Sequence, residues 1–308
     1  MNHMSRPKIG IALGGGAARG WAHIGVLKTL IEAGFRPDIV AGTSIGAVAG
    51  ACYVTDRLGE LEEFALGLTR RRIFGFLDFN FGGSGLLTGQ RLGTRLETHL
   101  QGFIIENLDR KFVAVATELG TGHEVWLNKG SLVNALKASF ALPGIFRPVQ
   151  INGRWLIDGA LVNPVPVSVC RALGARFVIA INLSGDLFGK GSVIHDQEAF
   201  AEPTAAIEDQ RLPEGNGRAA VHLLHRQIFG RGNGAPGMSA VMMDAINITQ
   251  DRIARSRLAG DPPDITITPK VGGVGLFDFH RAADAIALGA RAAEKHIDEI
   301  KAAMRALA

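Results

Sequence analysis

The N-terminal part of the chain alternates apolar runs with helical patterns, and this alternation constrains the fold more than any other feature. Residues 8–13, "KIGIAL", form an apolar run that ends at three glycines, and a helical pattern follows to Gly34. A second run, "PDIVAG", leads into "IGAVAGACYV", a helix of small residues. Strand, helix and strand in this order form a βαβ unit, whose strands are parallel and whose crossover is right-handed. The chain is therefore predicted to be an α/β protein.

The sequence up to residue 182 continues with two hairpins, a helix and a further strand. "KFVAVATEL" and "EVWLNKG" flank "GTGH" as one hairpin, and "VQINGRWLID" turns at Asn152 and Gly153 as the second. Between them, "SLVNALKASFALPG" predicts a helix that is stopped at Pro143. Residues 176–182, "RFVIAIN", predict another buried strand. We expect a single domain over residues 1–308, with its core motifs in residues 8–182.

Regular periodicity is lost between residues 184 and 237, where glycine, proline and charged residues are dense. We interpret residues 184–237 as a mobile insertion or lid. The C-terminal part, residues 238–308, is predicted to hold a helix at about 238–259, a strand at "DITIT" and one long last helix. That helix carries an apolar stripe: Ile286, Ala290, Ala293, Ile297, Ile300, Met304 and Leu307. The stripe either docks on the protein's own core or forms a seam for a partner.

Composition and charge exclude several classes of function. The net charge of +4 comes without a long basic tract, which does not indicate nucleic-acid binding but suits transient contact with anionic lipid surfaces. Cys52 and Cys170 lie in apolar helical stretches away from any Cys or His cluster, so we expect no metal site. We find no signal-peptide pattern and no apolar run long enough to span a membrane. These features predict a cytoplasmic protein of unknown oligomeric state.

A serine lies between two glycines at the junction of the second strand and its helix. Gly42, Ser44 and Gly46 fit the pattern G-x-S-x-G of a nucleophile elbow, in which a tight strand-to-helix turn exposes the serine hydroxyl. A side chain at either glycine would obstruct the turn. The alternative is that Ser44 only caps the helix that follows. The pattern predicts a nucleophile, provided that a base lies within reach.

The sequence "LGGGAARG" connects the first strand to its helix and admits two interpretations. A dinucleotide-binding loop needs a glycine five residues after Gly14, but Arg19 stands there, and Asp38 opens the second strand instead of closing it. In the other interpretation, consecutive backbone N–H groups bind an oxyanion at a helix N-terminus. The loop would then face Ser44, because parallel neighbouring strands end side by side. Arg19 either pairs with a carboxylate to hold the loop or contacts a substrate phosphate.

The base for this serine is sought among the histidines and aspartates. The histidines that are late enough for a Ser-Asp-His order lie in lid-like or helical contexts: His222, His225, His280 and His296. Asp158 is the stronger candidate, because it ends a predicted strand and is followed by Gly159, which lets the backbone pass closely. It would take the serine proton directly. Since an aspartate with a pKa of about 3.9 is a poor base, we expect a shielded site and a short Ser44–Asp158 hydrogen bond.

Four motifs in order, "GGGAARG", "GTSIG", "FALPGIFRPV" and "DGA", resemble those of the bacterial patatin-like phospholipases, and the resemblance spans residues 8–182. It implies a three-layer α/β/α sandwich with a mostly parallel central sheet. It also implies a dyad, with Ser44 as nucleophile and Asp158 as base, that hydrolyses lipid acyl esters without metal or cofactor. The implied oxyanion loop comprises Gly14, Gly15, Gly16 and Ala17, and the supporting residues are Arg19, Gly42, Gly46 and Gly159. Plant members have one residue between these glycines and the basic residue, where this chain has two alanines.

The expected function is hydrolysis of lipid carboxylic esters, of phospholipase A or lysophospholipase type. The alternatives are acyl transfer or thioester hydrolysis at the same dyad, or a catalytically silent regulatory or adaptor protein of the same fold. Residues 70–87 combine three arginines with several phenylalanines, which is typical of a membrane interface or of packing over the mouth of the site. We predict that this segment and residues 184–237 shape the acyl channel.

Overall fold

The computed structural model describes residues 7–70, 90–186 and 238–307, which contain one mixed eight-stranded sheet. The strands are β1 (Ile9–Leu13), β2 (Ile39–Thr43), β3 (Lys111–Glu118), β4 (Glu124–Leu127), β5 (Val149–Ile151), β6 (Arg154–Asp158), β7 (Phe177–Ile181) and β8 (Ile265–Ile267). The helices are α1 (Ala22–Glu32), α2 (Ile45–Val54), α3 (Leu58–Leu66), α4 (Gln90–Leu100), α5 (Leu132–Ser139), α6 (Val167–Ala172), α7 (Met238–Gly260), α8 (Ala282–Glu294) and α9 (Ile297–Leu307). Short 3₁₀ turns are Ala17–Trp21, Ile105–Asn107, Gly159–Leu161 and Phe279–Arg281.

The sheet has the order β5-β6-β3-β2-β1-β7-β8, with β4 also paired to β3. The pairs β3-β2, β2-β1, β1-β7 and β7-β8 are parallel. The pairs β3-β4, β3-β6 and β5-β6 are antiparallel. The predicted βαβ unit, its parallel pairing and both predicted hairpins are therefore confirmed.

Helices cover both faces of the sheet, because alternate residues of the central strands point into two separate apolar clusters. On β7, Phe177 and Ile179 belong to one cluster, while Val178 and Ala180 belong to the other. Helices α1 and α2 contribute to the first cluster, and α6 and the C-terminal part of α7 contribute to the second. Every residue of β1, β2 and β7 is buried, as expected of strands covered on two sides. The three-layer α/β/α sandwich is confirmed.

The prediction of one continuous last helix was wrong, because the chain turns at His296 between α8 and α9. The His296 N–H donates to the carbonyl of Ala293, a tighter turn than an α-helix makes. Asp298 and Glu299 then lie in the first turn of α9, where negative charge favours a new helix start. The stripe itself docks on the protein's own core, since Ala293 and Ile300 are fully buried there.

Helix α8 packs closely on α1 through two glycines. A Cβ added at Gly25 of α1 would overlap the Ile286 carbonyl oxygen, and one added at Gly289 of α8 would overlap that of Ala22. Two backbones that approach this closely leave no room for a side chain at either position. This contact fixes the helix that follows the glycine-rich loop.

The chain divides into two compact units, residues 1–187 with 250–308, and residues 188–249. Of the second unit, the structure describes only residues 238–249, the N-terminal part of α7. Residues 187–237 of the predicted lid and residues 71–87 of the aromatic and basic segment lie outside the described residues, so both hypotheses about them stay predictions. Among the helices of the described ranges, none is both long and apolar enough to cross a membrane.

Candidate active site

Ser44 occupies a sharp turn between β2 and α2. Its backbone has φ 56° and ψ −125°, a left-handed conformation that is rare for a residue with a side chain. The turn is closed by glycine on both sides: a Cβ at Gly42 would lie 2.5 Å from the Ala47 backbone, and one at Gly46 would overlap the Leu13 carbonyl oxygen. The geometry is that of the strand-turn-helix elbow predicted from the sequence.

The close approach of α2 to β1 makes Gly46 a sensitive position. We expect Gly46→Ala to destabilise the protein by about 2 kcal/mol or more, because its Cβ meets backbone oxygens of β1 and the loop after it, which cannot rotate away. The matched control is Gly59→Ala at an exposed position of α3, where an added Cβ meets no atom within 4 Å. That change should stabilise by about 0.5–1 kcal/mol through helix propensity. Urea titrations of both variants measure the difference, and equal stabilities would contradict the elbow packing.

Strands β2 and β6 pair with the same edge of β3, β2 with its first residues and β6 with its last ones, and this arrangement brings Asp158 next to Ser44. Val115 of β3 pairs with β4 on one side and with Thr43 of β2 on the other. Ala116, the next residue, pairs with β4 and with Asp158 of β6. Since successive strand residues are about 3.3 Å apart, Ser44 and Asp158 meet although 114 positions separate them.

The Ser44 hydroxyl donates a 2.6 Å hydrogen bond to Oδ2 of Asp158. The other carboxylate oxygen, Oδ1, accepts from the Ala160 N–H at 2.8 Å, and the Thr117 hydroxyl donates to the Asp158 carbonyl. Gly159 permits this arrangement, because a Cβ there would overlap the backbone of β3. The carboxyl is therefore held between two donors at the end of β6.

Burial raises the pKa of Asp158 from 3.8 to about 6, and the hydrogen bonds from Ser44 and Ala160 offset part of that effect. The side chain is only 1% exposed, so water contributes little to stabilising its charged form. A carboxylate with a pKa near 6 is a better proton acceptor at neutral pH than an ordinary aspartate. The shielded site expected from the sequence is present.

The four loop residues differ in whether their N–H groups are available. Gly14 donates to the Ile181 carbonyl at 3.1 Å, and Gly15 donates to the Pro164 carbonyl at 3.0 Å. For the N–H groups of Gly16 and Ala17, the described residues provide no acceptor. Ala17 has a positive φ of 49° and lines the same pocket as Ser44. Within the described residues, the N–H groups of Gly16 and Ala17 are therefore the two in this loop that remain without an acceptor.

The loop is anchored from two sides. The Arg19 guanidinium donates to the Val274 carbonyl at 2.9 Å, and the Ala18 N–H donates to the Leu276 carbonyl at 3.0 Å. These bonds favour the loop-holding role for Arg19 over contact with a phosphate.

Two buried residues that the sequence did not single out also position the site. His23 of α1 places Nε2 2.7 Å from the Gly14 carbonyl, and burial lowers its pKa to about 4, so it donates as a neutral ring. Ser139, at the end of α5, accepts from the Ser44 N–H at 3.0 Å and donates to the Val115 carbonyl at 2.6 Å. Neither residue was predicted, because the sequence alone does not reveal that the His23 ring turns back to the Gly14 carbonyl or that Ser139 lies between the elbow and β3.

The other predicted candidates lie elsewhere. His280 accepts from Arg70, and His296 contacts Glu299 on an exposed face. His222 and His225 fall outside the described residues. Within the described ranges, no group of His, Cys, Asp and Glu has the arrangement of a metal site.

A mainly apolar cavity of about 210 Å³ opens beside Ser44. Its walls come from the first 3₁₀ turn, α2, α3, α4, the segment after α5 and two phenylalanines near α8. The described lining residues are Ala17, Trp21, Ser44, Ile45, Val48, Cys52, Arg57, Glu60, Leu61, Phe64, Leu68, Leu96, His99, Leu100, Phe140, Leu142, Ile145, Phe146, Phe277 and Phe279. Such a lining suits a hydrocarbon chain attached to a group that reacts at Ser44.

Comparison with known proteins identifies the family of this chain. A family model described as patatin-like phospholipase matches residues 11–171. An uncharacterized NTE family protein of Mycobacterium bovis is 32% identical to this chain. The alignment covers 92% of this chain and 90% of that protein. The chain belongs to the patatin-like phospholipase family. Membership of this family supports lipid acyl hydrolase activity in general.

One further relative matches part of this patatin-like phospholipase chain, and one solved structure superposes on it. A putative patatin-like phospholipase domain-containing protein of Caenorhabditis elegans is 35% identical over 57% of this chain, which corresponds to 17% of its own length. The crystal structure of VipD from Legionella pneumophila superposes with a TM-score of 0.49 and 13% identity, over 96% of this chain and 67% of that chain.

Proposed function

We propose that the protein is a serine hydrolase of lipid carboxylic esters, of phospholipase A or lysophospholipase type, that uses a Ser44–Asp158 dyad. The observation that carries the proposal is the 2.6 Å hydrogen bond between these two side chains, of which Ser44 lines an apolar pocket. A serine that is hydrogen-bonded directly to a buried carboxylate is an activated nucleophile. The apolar pocket offers a binding site for the acyl chain of a substrate.

In the first half of the reaction, Ser44 Oγ attacks the ester carbonyl carbon while its proton passes to Asp158 Oδ2. The carbonyl oxygen becomes an oxyanion, for which the N–H groups of Gly16 and Ala17 are the proposed donors. The tetrahedral intermediate collapses, the C–O bond to the alcohol breaks, and Asp158 returns the proton to the departing oxygen. The acyl group is then an ester of Ser44.

In the second half, Asp158 takes a proton from water as the water oxygen attacks the acyl carbon. The same two N–H groups hold the second oxyanion, the bond to Ser44 Oγ breaks, and Asp158 protonates the serine. The fatty acid leaves, and the dyad is restored with the hydroxyl donating to the carboxylate. Each half of the reaction starts with Asp158 ionised, so its raised pKa has a kinetic consequence.

We expect kcat/KM for a short soluble ester to be constant above about pH 7 and to fall about tenfold per pH unit well below pH 6. The reason is that the pKa of Asp158 is about 6 and only its ionised form accepts the serine proton. Initial rates between about pH 4.5 and 8 provide the profile, and return of each sample to neutral pH controls for unfolding. A rate that stays flat down to pH 4.5 would rule out Asp158 as the base.

A panel of phospholipid, lysophospholipid, neutral lipid and thioester substrates tests the proposed class, with Ser44→Ala as the blank. Acyl transfer at the same dyad would appear as transferred product when an acceptor alcohol is added. A catalytically silent adaptor would leave Ser44 unlabelled by a fluorophosphonate, whereas the proposed hydrolase reacts at that residue.

A further inference from the structure

The acyl pocket runs along helix α2, away from the elbow. Ile45, Val48 and Cys52 line it, and their spacing of three and four residues puts them on one face of the helix. Ser44 stands at the N-terminus of the same helix. With a rise of about 1.5 Å per residue, the eight residues from Ser44 to Cys52 give the pocket a length of about 12 Å.

Helix α3 forms the opposite wall and returns toward the elbow. Leu61 and Phe64 line the pocket from this helix. Phe64 packs edge-on against Trp21, which lies in the 3₁₀ turn beside the glycine loop. Arg57, in the turn between α2 and α3, also lines the pocket and lies at the end of α2 opposite to Ser44, which we call the far end of the pocket.

That far end is polar, in contrast to the walls. Arg57 donates to Glu60 at 2.6 Å, and the other Glu60 oxygen lies 2.9 Å from His99 Nδ1. The Arg57 guanidinium also lies over the ring of Phe103, 5.7 Å from its centre. We call Arg57, Glu60 and His99 the distal polar cluster. All three line the pocket, yet their side chains are 35–44% exposed, so they stand between the apolar channel and solvent.

This change from an apolar to a polar lining determines the length beyond which an acyl chain gains no further affinity. Each methylene that moves from water into the apolar part of the pocket is worth about a fourfold gain. A methylene that reaches the distal polar cluster must displace water from charged groups without replacing their hydrogen bonds, which removes that gain. An extended hydrocarbon advances about 1.3 Å per carbon, so about nine or ten carbons fill the channel.

We propose that the distal polar cluster of Arg57, Glu60 and His99 sets the acyl-chain length, about ten carbons, beyond which a longer chain brings no further gain in kcat/KM. The inference rests on the proposed hydrolase function and adds a chain-length limit to it. The residues of the cluster are specificity determinants, since they contact the end of the acyl chain and take no part in bond making or breaking.

The test is kcat/KM for a series of single-chain esters from four to sixteen carbons, measured below their micelle concentrations. For the wild-type protein, we expect an increase of up to about fourfold per methylene to about ten carbons and no increase beyond. The chain length at which the increase stops is called the break. The double variant Glu60→Leu/His99→Leu continues the apolar wall and should move this break to longer chains. Cys52→Phe fills the channel and should lower the ratio of ten-carbon to four-carbon activity at least tenfold.

The matched control is Glu63→Ala, which removes an exposed carboxylate from α3 outside the pocket and should keep the wild-type break. A second measurement needs no variant: a terminal hydroxyl on a six-carbon chain should cost about tenfold, because it enters an apolar wall, and much less on a ten-carbon chain, where it reaches the cluster. A steady rise to sixteen carbons, or a break that stays unmoved in both pocket variants, would overturn the chain-length limit. Absence of hydrolysis at every length would instead overturn the proposed function.

Discussion

Replacing Ser44 with alanine is expected to lower esterase turnover at least about a thousandfold. The variant lacks the oxygen that forms the acyl-enzyme, while the two loop N–H groups and the pocket remain and support only a residual rate. Covalent labelling by a fluorophosphonate should disappear together with turnover. The measurement is the rate on a soluble ester in parallel with mass spectrometry of the labelled protein.

Two companion variants separate loss of chemistry from loss of fold. Ser256→Ala makes the same chemical change at an exposed position of α7 and should keep full activity. Ser44→Gly removes the hydroxyl and also relieves the positive φ of 56°, so it should be more stable than Ser44→Ala by about 1–2 kcal/mol and equally inactive. Substantial turnover in either Ser44 variant would exclude this serine as the nucleophile.

The substitution Asp158→Asn is expected to remove turnover to a similar degree while stabilising the protein. The amide preserves the shape of the side chain, accepts from the Ala160 N–H and donates to Ser44, but it cannot take a proton from the serine. The loss of activity should therefore appear in kcat without a change in the folded structure. Asp261→Asn, at an exposed position, is the matched control and should leave activity unchanged.

The stability gain in this variant should depend on pH in a defined direction. The folded pKa of Asp158, about 6, is higher than the unfolded value of about 3.8, so the folded state is favoured while the carboxyl is protonated. That contribution is complete below about pH 4 and is lost as the pH rises through 6. At pH 8, Asp158→Asn should exceed the wild type by up to about 3 kcal/mol, and the difference should vanish near pH 4. Urea titrations at both pH values provide the check, and a gain confined to low pH would contradict the raised pKa.

The parallel core and the elbow could be predicted because their signals are local. Apolar runs of five residues between helical patterns indicate buried strands, and the glycines around Ser44 are demanded by a turn within the same few residues. Asp158 could be found for a similar reason, since it ends a strand and precedes a glycine. Each of these features is determined by residues that are close together in the sequence, so the order of residue types is enough to indicate it.

The remaining parts of the site depend on contacts between distant segments. The N–H groups of Gly14 and Gly15 bond to carbonyls of Ile181 and Pro164, so the sequence could not distinguish them from Gly16, which has the same residue type. The role of Ser139 likewise arises from the packing of α5 on β3. The break at His296 was missed because the apolar stripe continues through it, so the periodicity gives no sign of an interruption.

Strands β2 and β6 pair with consecutive residues on one edge of β3. The distance between the Ser44 hydroxyl and the Asp158 carboxylate therefore depends on one residue step along β3. Helices between those two strands can be lengthened or shortened without changing this distance, because β2 and β6 both stay paired with neighbouring residues of β3. A one-residue insertion between Val115 and Ala116 of β3, in contrast, would move the two side chains apart by about 3.3 Å. The helices that line the pocket can therefore vary in length more freely than this part of β3.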